Sequence, residues 1–155
     1  MSLGARQAYL LLVLYLMEAV EELGSKRAFE LLEEAAREQG RLLAPRLLEG
    51  LAGGPLERGA EAYRRFMEGA GAQVKLVRKE EGEAVFAVQG CPFFQVFLDV
   101  GVDCGIFREG LCTHFALPSV ERVLASVDPR LGVEAQSTKE AAEDICLERV
   151  FLREG

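Results

Sequence analysis

The order of apolar and polar positions divides the chain into a helical half and a half that carries strands. Residues 5–23 are apolar on nearly every side, without a break from Ala8 to Met17, which predicts a helix sandwiched between two layers or covered by another subunit. Gly24 and Ser25 end that helix and start the next. Over 26–39, Phe29, Leu32 and Ala36 form one stripe while Glu30, Glu33, Glu34 and Arg37 form the other, so the spacing predicts an amphipathic helix stopping at Gly40. A further helical piece is expected over 41–51, ended by Gly53-Gly54. Pro55 opens a fourth helix, in which Leu56, Ala60, Tyr63 and Met67 recur at helical spacing.

After Gly69-Ala70-Gly71 the period changes. Val74, Leu76 and Arg78 interleave with Lys75, Val77 and Lys79, Glu80-Glu81-Gly82 turns the chain, and Glu83 to Gln89 returns, which predicts a hairpin. Pro92 then starts a helix from Phe93 to about Val100, and Gly101, Gly105 and Gly110 punctuate the stretch beyond it. Val120, Val123, Leu124 and Val127 mark another helix that stops at Asp128-Pro129, because proline disfavours helical geometry in the residue before it. Leu131 to Gln136 and Ile145 to Leu152 read as two more strands, joined by the polar stretch Ser137 to Asp144. Helices and strands are therefore segregated, with residues 5–70 helical and 72–152 forming two hairpins with a helical connection. This predicts one α+β domain over 1–155, its four-stranded antiparallel sheet packed with the N-terminal and intervening helices. A doubly wound nucleotide-binding fold is disfavoured, since neither glycine-rich stretch follows a strand and no G-x-x-x-x-G-K-[ST] occurs.

Composition narrows the partners. The 155 residues are 50% hydrophobic and carry a formal net charge of −7, so a phosphate backbone or an anionic lipid surface is repelled on average. Nucleic acid and membrane are accordingly not expected as partners. The ten-residue apolar run is too short to span a bilayer, which needs about 20, and Glu18, Glu21 and Glu22 follow it with no small-residue cleavage site. Four cysteines are too few for a disulfide framework. The expectation is a cytoplasmic protein with reduced thiols.

Residues 90–115 gather three of the four cysteines, the single histidine and five of the nine phenylalanines. Two chemistries compete there with plain core packing. Cys91, Cys104, Cys112 and Cys146 supply a thiol set for zinc, yet the short C-x-x-C knuckles that usually bring such ligands together are missing. The expectation is no cofactor, with zinc the metal this donor set would suit. A nucleophilic Cys112 with His114 as base suits a hydrolase, although residues two apart on a helix point away from each other. The aromatic density is the stronger signal. Phe93, Phe94, Phe97, Phe107 and Phe115 can fill the core or line an apolar cavity, with Cys91 and Cys112 at its wall and glycine-bordered loops around it. Asp99 and Asp103, flanked by apolar residues, would mark a working site if burial raised their pKa.

Gly90-Cys91-Pro92 after a hairpin, Leu111-Cys112 before a helix, Pro129 to Glu134, Thr138-Lys139 and Asp144-Ile145-Cys146 form a pattern. It resembles the 4-vinyl reductase domain group and the related L-2-amino-thiazoline-4-carboxylic acid hydrolase-like proteins. The resemblance implies an α+β domain also seen in vesicle-tethering subunits. It further implies an interior pocket for small hydrophobic or heterocyclic ligands, and dimerisation through the N-terminal helices. The chain departs from these families in lacking a glycine before Cys146 and a thiol on the third strand, and in the apolar Phe115-Ala116-Leu117 after the central cysteine. What the resemblance carries over is the pocket more than the metal or the catalysis. The leading expectation is a small-molecule binding domain, with a cysteine-dependent hydrolase of a small heterocyclic or amide substrate as the alternative.

Overall fold

A computed structural model describes residues 2–101, 115–137 and 146–154, apart from the side chains of Phe93, Phe94 and Ser137. In chain order the elements are α1 (Leu3–Leu23), α2 (Ser25–Leu47), α3 (Pro55–Gly69), β1 (Gln73–Glu80), β2 (Glu83–Gln89), α4 (Pro92–Val100), α5 (Leu117–Val127), β3 (Leu131–Ser137) and β4 (Cys146–Leu152). The strands form one antiparallel sheet in the order β1-β2-β4-β3, the α+β architecture that the change of period predicts. β1 and β2 make a tight hairpin through Gly82, whose φ of +81° is a conformation that glycine adopts without the penalty a Cβ brings.

α3 lies across the inner face of the sheet, α5 packs beside it against β3, α2 covers α5, and α1 sits on α2 and α4. Alternation decides which strand residues face the helices. Ala84, Phe86 and Val88 of β2 and Glu148 and Val150 of β4 join Tyr63, Phe66, Val123, Leu124 and Leu131 in and around the main core. A second, smaller group forms where α1, α2 and α4 meet, around Val13, Leu16, Phe29, Leu32, Val96 and Phe97.

Two expectations are corrected, one on α2 and one on α1. The predicted pieces over 26–39 and 41–51 are one continuous helix, because Gly40 is a contact residue here and not a stop. A methyl group at that position would lie 2.3 Å from the Ser119 carbonyl oxygen, so the missing side chain lets α5 approach α2. The Ser119 hydroxyl completes the junction, its single proton shared between the Ala36 carbonyl at 2.8 Å and Gln39 Oε1 at 3.0 Å. β1 does not bury one of its alternating faces. Leu76 and Val77 are both exposed, since the strand forms the sheet edge and its register shifts between Leu76 and Arg78. Finally, α1 at 21 residues is long and apolar enough, by length and composition, to cross a membrane. Val13 and Leu16 are nonetheless buried against α2 and α4, so part of this helix is committed to the fold.

Candidate functional site

The two packing groups do not meet flush. Between them lies a cavity of about 270 Å³. The main core contributes Leu43, Leu47, Phe66, Met67 and Val88, and the other side is made by Tyr9, Cys91 and Phe115. Cys91 stands at the N-cap of α4 with Pro92 in the first turn, a placement that follows from proline's preset φ and its missing N–H. The Tyr9 hydroxyl donates to the Ala70 carbonyl at 2.8 Å and so ties α1 to the end of α3. Its pKa is raised chiefly by burial, with the nearby Cys91 thiol adding to the effect.

Polar groups on this wall are few and mostly engaged. Arg65 donates from Nη1 to the carbonyls of Leu47, at 3.1 Å, and Glu49, at 2.7 Å, and from Nε to Glu61 at 3.2 Å. Gln39 is held by Ser119. Glu148 is different. It lies on the inner face of β4 opposite Phe86, is only 8% exposed, and accepts a 2.7 Å hydrogen bond on Oε1 from Tyr63. Burial pushes its carboxyl pKa above the usual carboxylate range, and the Tyr63 hydrogen bond opposes that rise. The fully buried Tyr63 ring packs against Phe86 at 4.8 Å between centroids, which fixes the hydroxyl that orients Glu148.

Among the described residues, members of the aromatic cluster expected from the sequence take different places. Cys91 and Phe115 line the cavity. Phe97 does not, because α4 turns it into the α1–α2 contact, where it is 3% exposed. The Phe93 and Phe94 side chains, and Cys104, Asp103, Phe107, Cys112 and His114, lie outside the described residues. Cys146 packs with the main core while Cys91 packs with the N-terminal group, and among the described residues no cluster of three metal-ligating side chains occurs. Asp99 is exposed and paired with Arg6 at 2.6 Å, and this partner lowers its pKa, the reverse of what a buried working carboxylate would show.

No protein-family model matches the chain, and no curated protein does. A solved structure does match. Trafficking protein particle complex subunit 3 from Naegleria fowleri, covalently bound to palmitic acid, superposes with a TM-score of 0.61 over 95% of this chain and 96% of that one. At 15% identity the likeness is one of fold.

Sequence reasoning missed Tyr9, Arg65, Met67 and Glu148 as wall residues. For Glu148 a signal was present: Cys146, Glu148, Val150 and Leu152 alternate along β4, which puts a carboxylate on the face that must pack.

Proposed function

We propose that the protein binds a small hydrophobic or aromatic molecule in the cavity between its two packing groups. The observation that carries this reading is the cavity itself. A dry apolar void of about 150 Å³ is enough to take benzene, so about 270 Å³ at the junction of two cores suits a two-ring or short alkyl compound. The fatty acid held by the structural neighbour supports the class of occupant and no more than that. The hydrolase alternative depends on Cys112 and His114 and gains no support from the described residues.

Native mass spectrometry of the purified protein, followed by displacement of an environment-sensitive hydrophobic dye, tests the reading. Dye binding to the wild type is expected, together with at least about tenfold weaker binding by Ala72→Leu, which adds bulk to the wall; tenfold corresponds to about 1.4 kcal/mol. Binding that is absent, or indifferent to Ala72→Leu in a folded variant, would overturn the assignment.

A second copy of the chain is proposed as partner across α1. Leu3, Leu11, Leu14 and Tyr15 are exposed and, at 3.6 residues per turn, fall within about a third of the helix circumference. Sedimentation velocity should show a dimer that Leu11→Glu dissociates; a wild-type monomer at high micromolar concentration would remove this partner. The cytoplasmic location is inferred on the sparse cysteines alone.

A further inference from the structure

Glu148 is an acidic group where a purely apolar pocket would have none. Its neighbours on the inner face are Phe86 across the β2–β4 ladder and Val150 two residues on, and it is almost wholly buried. Removing a carboxylate from water is costly unless a cation or several donors compensate it. Among the described residues its hydrogen-bond partner is the neutral phenol of Tyr63, and no ion pair reaches it. The neighbouring Arg149 points its charge to the other face of β4, where it pairs with Glu83 at 2.7 Å and Glu134 at 2.9 Å. Among the described residues, the cation at the cavity wall is Arg65, already held by Glu61 and by two backbone carbonyls. The Tyr9 hydroxyl is likewise spent on Ala70. The cavity therefore offers a large apolar surface and an oriented acidic group that, among the described residues, has no cationic partner.

We infer that the cavity selects a hydrophobic amine, its apolar body against Phe66, Met67 and Phe115 and its ammonium group against Glu148. This rests on the ligand-binding reading and adds the chemical class of the ligand. An ammonium entering this low-dielectric site displaces the carboxyl proton to solvent and gains an ion pair, which a neutral molecule of the same shape cannot make and which an anion opposes. Tyr63 acts as the positioning residue, holding Oε1 so that the carboxyl keeps one orientation.

The test is calorimetric titration of the full-length protein with three probes of matched size: naphthylmethylamine, naphthylmethanol and naphthoate. The amine is expected to bind at least about tenfold tighter than the alcohol, equivalent to about 1.4 kcal/mol, with naphthoate the weakest. In Glu148→Gln the ratio of amine to alcohol affinity should fall to about one. An alcohol that binds as well as the amine in the wild type overturns the amine preference and leaves the cavity reading standing. A ratio that persists in the glutamine variant overturns the role of Glu148. Failure of all three probes to bind defeats the ligand-binding reading itself. The wild-type ranking requires no variant, so it decides the question even if Glu148→Gln does not fold.

Discussion

The main core and the N-terminal packing group are built differently. In the first, Tyr63, Val123, Leu124, Leu131 and Val150 are enclosed by a sheet on one side and two helices on the other, and none is more than 1% exposed. In the second, Val13, Leu16, Val96 and Phe97 are buried between three helices, while Leu11, Tyr15 and Leu98 on the same helices stay exposed. One region is closed and the other is an open layer laid against it. α2 joins them, with Phe29 and Leu32 in the open layer and Leu43 and Leu47 against the closed core. A void at the join is the natural result: each group satisfies its own packing, and nothing obliges the two surfaces to match.

The contrast is broken most forcefully by truncating one residue in each region. Leu124→Ala removes a side chain with no route for collapse, so a loss toward the upper end of the usual range of about 2 to 5 kcal/mol is expected in chemical denaturation. Leu16→Ala should fall near the lower end, because its helix has an open outer side and can readjust. Hydrogen exchange separates the two further. The first variant should weaken protection throughout the described elements, the second mainly in α1 and α4. Equal losses with identical exchange patterns would mean that the molecule holds one core and not two.

A narrower probe is the α2–α5 junction. Gly40→Ala improves intrinsic helix propensity by about 1 kcal/mol, yet the added methyl meets the Ser119 carbonyl at 2.3 Å and Arg122 Cβ at 2.9 Å, and backbone on one side leaves little room to yield. Overpacking of this kind costs about 1 to 3 kcal/mol, so a net decrease in stability is expected. A stabilised variant would show that α2 and α5 can separate freely, and with them the two regions.

Much of the architecture was legible in the sequence for a physical reason. The change from helical to alternating spacing near residue 72 reflects which side chains must be covered; β1, β2 and α4 begin, and α5 ends, where glycine, proline and the period say they do. Gly40 misled because a glycine that ends a helix and a glycine that admits a neighbouring helix look alike without the neighbour. The site was harder to see. Cys91 was recoverable, since Pro92 fixes the start of α4 and with it the position of the thiol. Phe97 and Phe115 belong to one aromatic run and pack with the same N-terminal group, yet only Phe115 reaches the cavity wall. A cavity is a mismatch between two surfaces more than 60 residues apart in the chain, as Tyr9 and Ala70 are, and no local pattern encodes it.

Acidity sharpens the comparison at the join. Glu148 has its folded pKa raised by burial, whereas in the unfolded chain it titrates near about 4.3. Below that pH both states hold the proton and the group contributes nothing to the balance. As pH rises through it, the unfolded chain releases the proton while the folded chain keeps it, so stability falls until the folded pKa is passed. The melting temperature of Glu148→Gln should therefore gain on the wild type from pH 4 toward neutrality, the glutamine still accepting from Tyr63. A difference between the two proteins that stays flat over this range would place the carboxyl in water, and with it the boundary of the closed core.

The smallest effect is expected at the outer edge of the open layer. Arg6 and Asp99 form a two-pronged pair, Nε to Oδ2 at 2.7 Å and Nη2 to Oδ1 at 2.6 Å, which links α1 to α4. Good geometry does not make it strong, because both side chains are more than a third exposed and salt screens them. The pair lowers the Asp99 pKa, so whatever it contributes is present at neutral pH and lost as pH falls through that lowered value. Arg6→Ala should accordingly leave the melting temperature within measurement error at physiological salt. A drop comparable to that of Leu16→Ala, reproduced in the wild type by raising the salt, would mean that charge holds the N-terminal layer in place, where the buried Val13, Leu16 and Phe97 point to packing.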